Sequence, residues 1–547
     1  MLYKKIAKIF SALTFLFGCC SLPLNLSAGW SPIPPAPITG AAAVNVTDFF
    51  PTVLTTYNSS NHTIVATWLD VNFIPTYAVW NGTSWIVPAT NIPGAAALNS
   101  NSIPIYSTYD PAHNTIVTTW TDANSHPTYT IWNGSTWTTP TVIPGGSTSS
   151  YYSVYTTYDA ANQTIVAVWG DQSSNPMSAV LTGYDWTISA AMIPGGIFVE
   201  TVILSTYDAG SQTVVATWVN SDVVPTYAIW NGSSWSVPAT LIPNGGTLTS
   251  VLTVTPTYDP ATQTVIVTWI ESVDASNIPT YAVLQGTTWQ VVATAISNTA
   301  NADAMFFSTY DAGDQTVMTT WLDEAGEGTL MYSIWNGTFW STPAPIPGSV
   351  DNSYLLLQPV YDQGNKTILA TWFGLGNFIS GETFTPAYAI WDGASWTTAA
   401  AIPGASPFIF ESGASFLYET YDGFNQSVMV TWLDTNGVPT YAVYTNALAT
   451  ANSFTGYACT NRFLTQSDLI YNLEWTPSSS SFVTGYVLSR NGVPIYSTST
   501  SGPFFYADHN RNKKVTDVYT LVSQGSNGLE SEPLTVVFSR GKPVIAR

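Results

Sequence analysis

Apolar and polar residues alternate in short runs along most of this chain, and the runs are rich in Val, Ile, Thr and aromatic side chains. A period of two marks half-buried strands, because successive side chains of a strand point to opposite faces. Thr213–Trp218 is one such run and carries no helical spacing. Turn formers separate the runs: Asp208-Ala209-Gly210-Ser211 precedes this one, and Asn231-Gly232 closes a later hairpin. The pattern predicts sets of four short antiparallel strands.

The sets recur. A Tyr, usually followed by Asp, stands at Tyr57, Tyr109, Tyr158, Tyr207, Tyr258, Tyr310, Tyr361 and Tyr421. Eleven residues after each comes a Trp, at Trp68, Trp120, Trp169, Trp218, Trp269, Trp321, Trp372 and Trp432. Each unit continues through a segment such as Pro75-Thr76-Tyr77-Ala78-Val79-Trp80-Asn81-Gly82 to a second Trp, as at Trp85, Trp137, Trp235 and Trp396. Eight copies of this kind predict the blades of a β-propeller, because one twisted four-stranded sheet cannot bury both faces unless neighbours flank it. The eighth copy stops after Tyr441-Ala442-Val443-Tyr444, and Gly29-Trp30-Ser31-Pro32-Ile33-Pro34 offers a last strand with no blade before it. Pairing the two closes the ring without free edges. The expected fold is all-β, an eight-bladed β-propeller closed by an N-terminal strand.

Spacing also sorts the loops. The distance from the first Tyr to the first Trp is invariant. The third-strand position (Tyr77, Tyr129, Ser178, Tyr227, Tyr281, Tyr332, Tyr388) always precedes the second Trp by eight residues. The first and third hairpins therefore form a constant rim. The loop between strands two and three lengthens in units five, six and seven, and the connections between units vary. Both variable classes belong to the opposite rim, where a rigid scaffold carries recognition residues.

From about Gly456 the repeat is lost and basic residues return. Leu473-Glu474-Trp475-Thr476-Pro477, Gly485-Tyr486-Val487-Leu488, Tyr506-Ala507-Asp508, Tyr519-Thr520-Leu521-Val522 and Gly528-Leu529-Glu530-Ser531 together resemble a fibronectin type III domain. The resemblance implies a β-sandwich with Trp475 in its core and a tight turn at Asn491-Gly492, serving as a spacer or interaction module without chemistry. The repeats resemble, in architecture, those of exported bacterial propellers in the broad sialidase-like, Asp-box-like grouping. They depart from it in two ways: Trp218 follows Asp208 by ten residues, which no Asp-box allows, and the repeats hold no Arg to grip a substrate carboxylate. The expected divisions are a signal peptide over 1–28, the propeller over 29–449, a linker over 450–456 and the sandwich over 457–547.

The signal peptide is read from basic Met1–Lys8, apolar Ile9–Phe17 and the small residues of Leu26-Ser27-Ala28. It implies a secreted or cell-surface protein, and the apolar run is too short for a transmembrane segment. Leu16-Phe17-Gly18-Cys19 loosely resembles a lipobox, so anchoring through Cys19 is the alternative. Ordinary cleavage leaves Cys459 alone, and no intrachain disulfide can form. The net charge of −21 is uneven: the repeats hold 27 Asp and Glu against Lys366, and eight basic residues lie at or beyond Arg462. So acidic a repeat surface repels phosphate backbones and anionic membranes and excludes nucleic acid as its partner.

Candidate chemistry is sparse. His62, His113, His126 and His509 show no metal-ligand spacing, and no nucleophile motif or phosphate-binding loop is present. The recurrent Asp after Tyr, as at Asp110 and Asp362, reads as a turn residue. The best ligand-binding candidates are acids in the lengthened loops: Glu271 and Asp274 in unit five, Asp323, Glu324 and Glu327 in unit six, and Glu382 in unit seven. Clustered carboxylates there suit Ca²⁺ or a hydroxyl-rich partner, and no other cofactor is expected. The leading expectation is an extracytoplasmic binding or adhesion protein that recognises a glycan or protein ligand on the variable rim without catalysis. A propeller glycoside hydrolase using paired carboxylates and a purely structural envelope protein are the competing readings.

Overall fold

The computed structural model describes residues 29–44, 52–98, 105–149, 153–248, 253–273, 276–297, 302, 306–323, 328–349, 354–374, 383–406, 408–409, 417–445, 450–478, 483–525, 530–531, 533–540 and 542–544. Regular structure there is entirely β. The predicted signal peptide, with Cys19, lies outside the described residues. Trp30–Tyr444 form one compact unit and the chain from Thr445 onward forms another.

The first unit is built from eight sheets, each made by one of the repeats. In the first sheet, Leu54–Asn58, Thr63–Leu69, Pro75–Trp80 and Trp85–Asn91 pair in order, with Tyr57 opposite Ile64, Ile64 opposite Trp80, and Trp80 opposite Trp85. The seventh sheet adds a short fifth strand, Phe408–Ile409, against Thr383–Trp391. The first strand of each sheet touches that of the next, and the eighth, Tyr418–Asp422, meets the first, Leu54–Asn58, so the inner strands form a ring. The eighth sheet takes Gly29–Pro37 as its outermost strand, beside Pro439–Thr445. Trp30 stands there 5.0 Å from Tyr388 of the seventh sheet, as Trp85 stands 5.3 Å from Tyr441 of the eighth. It occupies the place of the second Trp that the eighth repeat lacks.

Packing explains why the repeats need each other. The Trp of each second strand is at most 3% exposed, and the apolar clusters run across sheet boundaries: Val215 and Ile229 of the fourth sheet share a core with Val265 and Trp269 of the fifth. The constant hairpins hold each other as well. Gly82 has φ +95°, and a Cβ there would stand 2.0 Å from Asn425 Nδ2 in the first hairpin of the eighth sheet. Gly232, at φ +91°, meets Asn162 of the third sheet in the same way, at 2.1 Å. A longer hairpin on either side would collide with its neighbour, which keeps both lengths fixed.

The second unit is a β-sandwich. One sheet holds Ser453–Phe463, Gln466–Thr476 and Phe505–Asp508; the other holds Val493–Ser499, Val483–Arg490, Asp517–Gly525, Leu534–Ser539 and Lys542–Val544. Tyr471, Trp475, Tyr486, Tyr519 and Phe538 fill its core. Asn491 and Gly492 both have positive φ, as a tight hairpin turn requires. The segment 450–456, expected to be a linker, is partly strand: Ser453 already pairs with Thr476, because Phe454 has an apolar face to cover against the sandwich core.

Candidate functional site

Both variable loop classes lie on one rim and interlock. In the first four sheets the connection leaving the sheet returns to the loop between its second and third strands, where Leu98 N–H donates to the Phe73 carbonyl (3.0 Å), Thr148 to Ser125 (2.9 Å), Val199 to Ser174 (2.7 Å) and Leu248 to Val223 (2.9 Å). The accepting residues are at φ near +60°, strained for Phe73 and for the β-branched Val223. An acid or amide two residues after the Trp caps the short loops: Asp70 Oδ1 accepts the N–H groups of Asn72 and Ile74, and Asp434 Oδ1 those of Asn436 and Val438.

Glu271 and Asp323 hold this same repeat position in the fifth and sixth sheets, in longer hairpins. The added residues extend strands instead: Glu271 lies opposite Ile278 in a hairpin of Thr264–Val273 with Ser276–Gln285, and Asp323 lies opposite Thr329. The half-exposed Glu271 carboxylate folds over Gly246, where a Cβ would come within 2.1 Å of Oε1. Asp323 also bridges Ala302 of the connection that enters the sixth sheet from the fifth. Asp274, Glu324, Glu327 and Glu382 lie outside the described residues. Among the described residues, no three His, Cys, Asp or Glu side chains come close enough to hold a metal ion.

The recurrent Asp on the constant rim is a turn residue. Asp208 is buried, its Oδ1 accepts from Gly210 N–H (2.9 Å) and Ser211 N–H (3.2 Å), and Oδ2 accepts from Ser211 Oγ at 2.5 Å. Asp110 does the same, with His113 Nδ1 2.8 Å from its Oδ2.

The inner strands begin at the variable rim, since the variable connections deliver the chain there. Their first positions carry Tyr106, Tyr155, Phe307 and Tyr418 in the second, third, sixth and eighth sheets. The Tyr106 and Tyr155 hydroxyls are hydrogen-bonded at 2.5 Å and their rings are 4.0 Å apart. Burial raises both phenols, and Tyr418, above the usual tyrosine range, and Tyr418 interacts electrostatically with Tyr106 and Tyr155. The phenols of two adjacent sheets therefore meet at the mouth of the ring, and that of Tyr418 in the eighth sheet lies within electrostatic reach of them.

The second position of the inner strand is small in seven sheets: Thr55, Ser107, Thr156, Ser205, Pro256, Ser308 and Pro359. Hydroxyls here link neighbouring sheets, as in Thr108 to Thr156 (2.7 Å), Thr157 to Ser205 (2.7 Å) and Thr420 to Thr55 (2.6 Å). The eighth sheet has Glu419 instead, 7% exposed, facing a seventh sheet whose third position is Val360. Thr371 donates to Glu419 Oε1, and Oε2 finds no hydrogen-bond partner among the described residues. Burial holds this carboxyl well above the usual carboxylate range, so it favours the neutral form. Stacking the eight repeats at the inner strand would have revealed Glu419 as the one acid in its column, a signal that a search of the loops passes over.

No protein-family model matches the chain, and no curated protein matches it. Among solved structures, it is similar to the BP39L lectin from Burkholderia pseudomallei, with 12% identity over 74% of this chain and 98% of that one and a TM-score of 0.49. It is also similar to the Aleuria aurantia lectin in complex with α-methyl-L-fucoside, with 13% identity over 67% of this chain and 99% of that one and a TM-score of 0.36.

Proposed function

We propose that this protein is an exported, non-catalytic recognition protein, an eight-bladed propeller joined to a fibronectin type III-like sandwich, whose propeller binds a glycan on its variable rim. The observation that carries the reading is the convergence on one rim of the interlocked variable loops and the phenols of Tyr106, Tyr155 and Tyr418. Tyrosine offers an apolar ring face for the C–H side of a sugar and a hydroxyl for its O–H groups. The rim also lends itself to variation, because its loops are fixed to the frame by hydrogen bonds of the backbone and not of side chains.

A glycosidase needs two carboxyl groups about 5 to 9.5 Å apart, one of them neutral. Glu419 is the buried, neutral kind, but the side chain it meets is Thr371 of the neighbouring sheet. The test is a glycan array probed with the mature chain, followed by assay of bound glycans for hydrolysis. Saturable binding without cleavage is the expected result. Release of sugar would make the protein an enzyme, and a blank array with a protein captured by the same rim would move the ligand class.

A further inference from the structure

The basic residues that set the C-terminal unit apart in sequence are gathered at one end of its sandwich. The Ser453–Phe463 and Gln466–Thr476 strands turn there, next to Arg462. The Val483–Arg490 and Val493–Ser499 strands turn beside Arg490, whose Nη1 is 2.7 Å from Asp508 Oδ2. The segment from Asp508 to Asp517 crosses between the two sheets at this end and carries His509, Arg511, Lys513 and Lys514; Arg511 N–H donates to the Leu469 carbonyl (2.8 Å), which ties it to the first hairpin. Ser539 pairs with Lys542 around a turn at Arg540, and Phe538 lies opposite Asp517, so this turn belongs to the same end.

Seven Lys and Arg side chains thus meet three carboxylates, Asp468, Asp508 and Asp517, in a protein whose net charge is −21. Asp508 is spent on Arg490 and Arg511, and Asp468 on His509. Arg462, Lys513, Lys514, Arg540 and Lys542 are exposed. At the opposite end, where Ser453 enters beside Thr476 and Gly525 ends opposite Val483, the charged residues described are Glu474 and Glu530.

The same end exposes aliphatic side chains, one on each of three loops. Leu464, at the first turn, is 105% exposed; Val493, at the second, is 62% exposed; Val515, in the crossing segment, is 47% exposed. A loop tip gains no fold stability from a bare leucine, and among the described residues nothing in the sandwich buries these three. Aliphatic tips ringed by cations match a surface that is anionic at its face and apolar beneath, which is the chemistry of a lipid bilayer rich in acidic headgroups.

We propose that this end of the sandwich docks on an anionic lipid surface, with Leu464, Val493 and Val515 entering the headgroup layer and Arg462, Lys513, Lys514, Arg540 and Lys542 pairing with the lipid charges. The acidic repeats are repelled by such a surface, and the sandwich supplies the contact that they cannot. The inference is independent of what the propeller binds.

Vesicle sedimentation of the whole mature chain tests it, using vesicles of phosphatidylglycerol with phosphatidylcholine against phosphatidylcholine alone. The mature chain pellets with the anionic vesicles, stays in solution with the neutral ones, and is released near 1 M salt, where the Debye length falls to about 3 Å. Replacing Lys513 and Lys514 by Ala lowers the partition roughly twenty-five-fold, at about fivefold for each cation lost. Leu464→Ser weakens binding to anionic vesicles without changing its salt dependence, and circular dichroism of both variants matches wild type. Failure to bind, equal binding to neutral vesicles, or binding that survives the Lys and Leu changes overturns the proposal. So does salt-sensitive self-association without vesicle binding, which would assign the basic end to the acidic sheets of a second copy.

Discussion

Replacing Trp30 by Ala isolates the closing strand of the ring. Trp30 is 6% exposed and packs edge-on against Tyr388 at 5.0 Å and Tyr444 at 5.3 Å. Burying an indole removes roughly 200 Å² from water, about 5 kcal/mol at 25 cal/mol/Å², and each aromatic pair adds about 0.5 to 1.5 kcal/mol. Local relaxation recovers part of this, and Trp-to-Ala changes in cores cost about 3 to 5 kcal/mol. That is a large share of a total stability of about 5 to 15 kcal/mol. The assay is urea denaturation followed by circular dichroism, with Trp85→Ala as the matched control, since Trp85 packs on Tyr441 in the equivalent place of the first sheet. The two variants should lose similar stability. Removing residues 29–35 altogether should also raise light scattering on warming, because the strand Pro439–Thr445 then presents an open edge. A loss below about 1 kcal/mol for Trp30→Ala, beside a normal loss for Trp85→Ala, would refute closure by the N-terminal strand.

Glu419→Gln should remove a pH dependence. Burial raises the Glu419 carboxyl above its ordinary value near 4.5, so its contribution to stability is complete below that value and is lost as pH rises through the folded one. Melting temperatures across the acidic to alkaline range should therefore fall more steeply for wild type than for the Gln variant, and parallel curves would contradict the assignment. Asp314→Asn should stabilise the sixth sheet by about 1 kcal/mol. Its counterparts Asn162 and Asn425 donate to the buried turn Asp at 2.9 and 2.7 Å, whereas Asp311 Oδ2 is left without a partner and its carboxyl is raised, first by burial and then by the Asp314 charge. An unchanged urea midpoint would refute this. Asp208→Ala, which loses three hydrogen bonds in a constant hairpin, should cost about 2 to 3 kcal/mol by the same assay, and a neutral result would show that the turn is held by other contacts.

The strand content, the repeat and the closing strand were legible because each rests on local spacing: a fixed eleven-residue step from Tyr to Trp fixes the strand pairing Tyr57 to Ile64 and the burial of Trp68. The turn role of Asp208 was legible for the same reason. What spacing does not contain is contact between repeats. Tyr106 and Tyr155 meet because consecutive sheets set their inner strands side by side, and Tyr418 comes within electrostatic reach of them only because the ring brings the eighth sheet round to the first. The strand pairing of Ser453 is not legible from spacing, because Ser453 and Asn452 read as linker residues until their partners, Thr476 and Pro477, are in place. Glu271 and Asp323 were located in the right units, but extra residues that read as loop became strand, since added length can continue a hairpin as readily as bulge from it.

Calorimetric titration of the strongest glycan-array ligand asks whether the variable rim holds it. Two proteins are compared with wild type: one with Tyr106→Ala, Glu271→Gln and Asp323→Asn on the variable rim, the other with Asp208→Ala on the constant rim. A ligand on the variable rim gives a Kd at least about tenfold weaker, or about 1.4 kcal/mol, for the first, and an unchanged Kd for the second despite its lower stability. Unchanged binding by the first protein and lost binding by the second would place the ligand on the opposite face.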